Sequence, residues 1–225
     1  MRSILDTLKI SISKQQLATL PAAGYTKKIT VIEKAEDVPA AIESLRREKI
    51  IGFDTETRPS FKKGVSYKVS LIQLCGKNEC FLFRINKCGF RDEIVELFED
   101  PVKIKVGLSL HDDFTNLSKL RKFNPKGFVD LQTYVKQSGI IDNSLSRIYA
   151  IVFGQRISKN QRLSNWEAPT LKDHQQAYAA LDAYACIQIY NAIGNRIFKP
   201  RESQYILPDT PEETAETPDN TQQQQ

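Results

Sequence analysis

The chain has 225 residues, 40% of them hydrophobic and 26% charged, with a formal net charge of +5 at pH 7. That balance belongs to a soluble globular protein with one sizeable core, or conceivably two small ones. It argues against an integral membrane protein, since no stretch approaches the ~18 consecutive apolar residues of a spanning helix. The opening MRSILDTLKISIS alternates polar and apolar residues instead of presenting the apolar run of a signal peptide. The expectation is an intracellular protein, cytoplasmic or, in a eukaryote, nuclear.

The charge is unevenly spread. From Pro208 onward the chain carries five acids and no Lys or Arg, which leaves a body of 32 basic and 22 acidic residues, net +10. A basic body suits a polyanion partner, although many solvated surfaces are as basic. The four cysteines at 75, 80, 88 and 186 form no CxxC pair and have only two histidines to complement them. A zinc site needs tighter spacing, so four reduced thiols are expected.

In chain order, TKKITVIE predicts a strand and EDVPAAIESLRREK an amphipathic helix. IIGFDTE reads as a short apolar strand, and KVSLIQLC with ECFLFRI as a hairpin around GKN. A helix is expected near Arg91–Glu99, then a strand at VKIKVGLS, a helix over His111–Lys122 and a short strand at GFVDL. The remainder is mostly helical, with a long helix from about Asp173 to Ile197. A hairpin feeding β-α-β units implies an α/β fold, a mixed sheet with helices on its faces. Residues 1–28 read as an N-terminal extension, 29–207 as the folded domain and 208–225 as a disordered acidic, Gln-rich tail.

Three elements carry acids in places that chemistry would use. On the strand IIGFDTET, alternation puts Gly52, Asp54 and Glu56 on one side and Ile51, Phe53 and Thr55 on the other. Paired carboxylates repel unless a cation lies between them, although acids at a strand end also simply reach solvent. In KVGLSLHDDFTNLSKL a strand breaks at Gly107 into a helix, with Leu110, Phe114, Leu117 and Leu120 on one arc. Asp113 falls inside that apolar arc and Asp112 about 100° away. A buried carboxylate is costly without a partner, so Asp113 is assigned the inward role and the helix cap goes to Ser109 or Asp112. On the long helix, Tyr178 and Asp182 stack at a spacing of four on the buried stripe, where a structural Tyr–Asp hydrogen bond is the plainer reading.

The order DxE, Gly-x₅-Asp-x₃-Leu and Tyr-x₃-Asp resembles the DEDD superfamily of 3′–5′ exonucleases in its tyrosine-bearing branch. The stretch RLSNWEAPTLKDHQQAYAALDAYACIQIY is similar to the Werner-syndrome exonuclease domain and the ribonuclease D catalytic domain. The resemblance covers about Ile29 to Phe198 and implies a ribonuclease-H-like sheet of five strands. It implies 3′–5′ exonuclease activity on DNA or RNA ends, DNA modestly preferred, with Asp54 bridging two metal ions. Glu56 and Asp182 would complete the site that activates water, and Asp113 would hold the second metal through water. All-oxygen ligands suit Mg²⁺, with Mn²⁺ as substitute. Tyr178, with an unperturbed pKa near ~10, is cast as orienting the water. Ribonuclease D carries helical accessory domains where this chain has an acidic tail, so a small independent exonuclease is expected rather than a tRNA-processing enzyme.

Substrate contacts are sought in RPSFKKGVSYK, where Arg58, Lys62 and Lys63 would meet phosphates and Phe61 would stack on the terminal base. An ordinary basic loop is an equal alternative. Trp166 reads as a packing residue, which the resemblance moves toward the rim of the site. His111 and His174 are read as structural. The competing reading for the whole chain is a catalytically silent exonuclease fold that binds nucleic acid.

Overall fold

The computed structural model describes residues 8–62 and 64–208. Lys63 and, beyond Pro208, the expected acidic tail therefore lie outside the described residues. The strands are β1 (Lys28–Ile32), β2 (Ile50–Thr57), β3 (Val69–Cys75), β4 (Glu79–Phe83), β5 (Ile104–Gly107) and β6 (Phe128–Asp130). They form one six-stranded sheet in the order β1-β4-β3-β2-β5-β6. The five strands implied by the resemblance are thus corrected to six. Each end of the sheet closes on a short strand: β1 runs parallel along β4, and β6 parallel along β5.

β2 sits inside the sheet, antiparallel to β3 and parallel to β5. Its alternation falls as predicted. Ile51 and Phe53 pack into one core with α2 (Val38–Arg46), α4 (Asp92–Glu99) and α5 (Leu110–Ser118). The opposite face of the sheet carries α7 (Leu145–Phe153) and the long α8 (Asp173–Gly194), whose buried residues join two further apolar clusters.

Two helices stop short of their expected ends. α5 closes at Ser118 because the Leu120 and Arg121 amides both turn back to the Leu117 carbonyl; Leu120 continues the apolar spacing but not the helix. α8 ends at Gly194, after which Arg196 is left-handed and the Ile197 and Phe198 amides fold back on the Ala192 carbonyl.

The segment ahead of β1 packs against the body. Ile10 and Ile12 are fully buried, Ile10 bridges to Ile140 and Ile206, and α1 (Lys14–Thr19) starts on a Ser13/Gln16 capping box. The expectation of four free thiols is corrected at one pair. Cys75 and Cys80 are direct cross-strand partners in the β3–β4 hairpin, with Cα atoms 4.0 Å apart, and form a disulfide. Cys88 and Cys186 are free and buried. Among the described residues no helix is long and apolar enough to cross a membrane.

Candidate active site

Asp54 and Glu56 leave β2 on the side that faces α8, and Asp182 meets them from the middle of that helix. One oxygen from each of the three carboxylates lies within 4.8 Å of the others. Asp182 is only 7% exposed and Asp54 and Glu56 are half-buried, so little water separates their charges. What lets the helix come so near is Gly52, whose missing Cβ would lie 2.0 Å from the Ala183 carbonyl oxygen. A register shift between Glu56 and Thr57 then interrupts the pairing of β2 with β3, an irregularity common beside active sites.

Asp113 is not one of that trio. It comes from α5, across the sheet, and accepts a hydrogen bond from the Thr55 hydroxyl on the other side of β2. It is half-buried whereas Asp112 is exposed, as the helical periodicity predicts. The cap assignment is revised. Ser109 occupies the N-cap position but is left-handed and makes no side-chain cap bond. Asp130, at the end of β6, does the capping instead, accepting from the Ser109 amide at 3.1 Å and the Leu110 amide at 3.0 Å. Asp130 therefore fixes the turn that aims Asp113.

Crowding and burial raise every carboxylate of the group. Asp54 is pushed well up, first by burial and then by Asp182, Asp113 and Glu56. Glu56 rises to about 9 by burial and its neighbours, against the pull of Arg162. Asp182 rises to about 7 by burial, which the Tyr178 hydroxyl and Lys159 oppose. Asp113 rises to about 6 by burial, which the Thr55 hydrogen bond opposes. Tyr178 is likewise pushed up by burial and by Asp182, so its hydroxyl stays protonated near neutrality. A dense set of hard oxygen donors that cannot comfortably all ionise fits a divalent cation of the Mg²⁺ or Mn²⁺ type.

That crowding has a consequence for stability. A carboxyl with a raised folded pKa is penalised once pH exceeds its unfolded value, and the full penalty is reached above the folded one. In chelator the protein should therefore lose thermal stability as pH rises from about 4.5 through 9, the span between the ordinary Glu pKa and that of Glu56. Adding Mg²⁺ should restore more stability at pH 8 than at pH 5. Melting temperatures that are flat or rising with pH in chelator would contradict this electrostatic picture.

Two cations that the sequence reading missed face the acids. Lys159 and Arg162 line a cleft of about 310 Å³ together with Asp54, Tyr178 and Asp182. They lie in a loop without periodicity, so no pattern marks them. Gln73 was missed as well. It pairs with Asp54 across the β2–β3 ladder, and its fully buried amide has no hydrogen-bond partner among the described residues.

The predicted substrate contacts separate. Arg58 is held at 3.3 Å by Glu167 and lies over the Tyr67 ring. Phe61 is 82% exposed, and with Arg58, Lys62 and Leu163 it lines a separate basic hollow past the end of β2. Trp166, in the segment leading to α8, is fully buried, so the placement toward the rim is corrected: it belongs to the apolar cluster of Leu71, Leu82, Leu171 and Ala179 and offers no surface to a ligand. That segment is tied down by Arg84, a buried side chain that donates to Glu33 and to the Ala168 and Pro169 carbonyls. His111 and His174 are both exposed and belong to no cluster of metal-ligand type among the described residues.

Comparison with known proteins agrees with this geometry. Residues 29–197 match the family model described as 3′–5′ exonuclease. The mouse bifunctional 3′–5′ exonuclease/ATP-dependent helicase WRN is 32% identical over 158 residues, 65% of this chain and 11% of the relative. Ribonuclease D of Gluconacetobacter diazotrophicus is 26% identical over 197 residues, 86% of this chain and 49% of the relative. The chain thus spans half or less of the length of these two relatives. The same fold occurs in the Aedes aegypti Nibbler EXO domain, at a TM-score of 0.71 and 20% identity, covering 80% of this chain and 97% of that one. With the family match running through every strand and helix that supplies these carboxylates, the chain belongs to the 3′–5′ exonuclease family.

Proposed function

We propose that this chain hydrolyses nucleic-acid phosphodiesters one nucleotide at a time from the 3′ end, on DNA in preference to RNA. The observation that carries the reading is the cluster of half-buried Asp54 and Glu56 with buried Asp182, with Asp113 approaching from the far side of β2. These four acids would hold two Mg²⁺ ions, or Mn²⁺ in their place. Bound there, such ions supply Lewis-acid relief of charge on the phosphate and acidify water.

The chain's own groups do the rest. Tyr178, kept protonated beside Asp182, is suited to orienting the attacking water and not to deprotonating it. Lys159 and Arg162 line the same cleft as Asp54 and Asp182, where they would offset the charge of an entering phosphate. A silent binding module would be expected to have lost one or more of Asp54, Glu56, Asp113, Tyr178 and Asp182, and all five are present.

The test is a panel of 3′-labelled single-stranded and recessed DNA and RNA, with Mg²⁺, Mn²⁺ or EDTA. The label should leave at once as a mononucleotide, and EDTA should abolish the release. Full activity in chelator, or cuts in closed circular DNA, would overturn the proposal.

A further inference from the structure

Every residue of β3 is buried, and a glutamine is rarely found in such a place. Ser70, the strand's one hydroxyl, donates to the Lys68 carbonyl at 3.3 Å. Gln73 is fully buried, and neither polar atom of its side chain has a partner among the described residues. Arg84, Glu93 and Trp166 each leave one buried atom unpaired, whereas Gln73 leaves two. An amide buried in that way is costly, and an apolar side chain of the same size would avoid the cost. Such a group calls for an explanation.

The register of the sheet shows what the amide faces. Leu71 and Cys75, two residues to either side, belong to the apolar cluster with Ala179, Ala180 and Ala183 of α8, so Gln73 projects on the α8 face with them. Its direct antiparallel partner is Asp54. Opposite residues in such a pair have Cβ atoms about 4.5–5.5 Å apart on one face, a gap that a glutamine amide spans.

Asp54 is short of donors. Its backbone bond at Thr55 aside, the groups that act on it are Asp182, Asp113 and Glu56, which as carboxylates only accept. The nearby cations bear on its neighbours, Lys159 on Asp182 and Arg162 on Glu56. A donor without an acceptor thus stands directly across from an acceptor ringed by acceptors. A carboxylate oxygen has two lone pairs, so one that binds a metal can still accept a hydrogen bond, and ligating carboxylates are ordinarily oriented by such bonds.

We propose that Gln73 is a positioning residue for the metal site, its side-chain amide donating an N–H to the Asp54 carboxylate and fixing the orientation in which Asp54 meets the ions. The inference rests on the metal-dependent reading of the carboxylates.

The experiment titrates Mn²⁺ into the metal-free full chain without nucleic acid and follows the free ion by its paramagnetic resonance signal. Gln73→Met keeps the length and unbranched shape of the side chain but removes the N–H. It should weaken Mn²⁺ binding by about tenfold to a hundredfold. In chelator the same variant should melt no lower than the parent, because an orphaned amide has gone. Leu71→Met, the next position on that face, disturbs the packing without removing a donor and should leave Mn²⁺ affinity unchanged. Equal affinity in Gln73→Met and the parent overturns the proposal, as does an equal loss in Leu71→Met, which would trace the effect to packing. A lower melting temperature for Gln73→Met in chelator would give the amide a partner within the fold and overturn it too. A parent that binds no Mn²⁺ sinks the metal-dependent reading itself, whereas binding that ignores Gln73 sinks only the role assigned to that residue.

Discussion

Asp113→Asn is expected to lower turnover on a 3′-labelled oligonucleotide about a thousandfold, ~4 kcal/mol of transition-state stabilisation. Asp112→Asn should stay within about tenfold, ~1.4 kcal/mol. The two acids are adjacent in sequence, and only their position on α5 separates them. Asp113 is half-buried and held by Thr55, one residue along β2 from both Asp54 and Glu56, while Asp112 is exposed to solvent. Asparagine keeps the shape of aspartate but removes the charge a divalent ion needs. Neither variant should unfold. Asp113 adds to the repulsion that raises Asp54 and Glu56, so without metal Asp113→Asn should melt no lower than the parent. If Asp112→Asn were the inactive variant and Asp113→Asn the active one, the register of α5 and the ligand assignment would both be wrong.

That contrast was legible in the sequence because periodicity alone decides it. Alternation on β2 put Gly52, Asp54 and Glu56 on one face, and a spacing of four stacked Tyr178 on Asp182; both patterns are local. What escaped depends on pairing between distant segments. Asp130 caps α5 from a strand of three residues, and nothing near Ser109 announces it. Cys75 and Cys80 look too loosely spaced to matter until the hairpin register sets them opposite each other. Lys159 and Arg162 lie on an irregular loop, where a basic residue facing the cleft reads the same as one facing solvent. The burial of Trp166 follows from the Arg84 anchor, whose partners lie more than eighty residues away.

Gly52→Ala should be the most damaging single methyl added to the sheet. In a strand interior, alanine for glycine ordinarily stabilises by about 0.5–1 kcal/mol through chain entropy. Here the added Cβ would stand 2.0 Å from the Ala183 carbonyl oxygen and 2.8 Å from its carbon. Both are helix backbone, so no rotamer change relieves them, and α8 must move off the sheet by about an ångström. Overpacking of this kind costs on the order of 1–3 kcal/mol, occasionally more, and outweighs the entropic gain, so the melting temperature should fall. Activity should fall further than stability alone explains. Asp182 precedes Ala183 on the displaced helix, and misplacing a reacting group by about 1 Å costs on the order of a hundredfold in rate. The remaining contact, Ile187 Cγ1 at 3.1 Å, is a side chain that can yield. Adding Ile187→Ala to Gly52→Ala should therefore restore neither the melting temperature nor turnover. Rescue by that second substitution would mean that side-chain bulk, and not the backbone approach of α8 to β2, sets the position of Asp182.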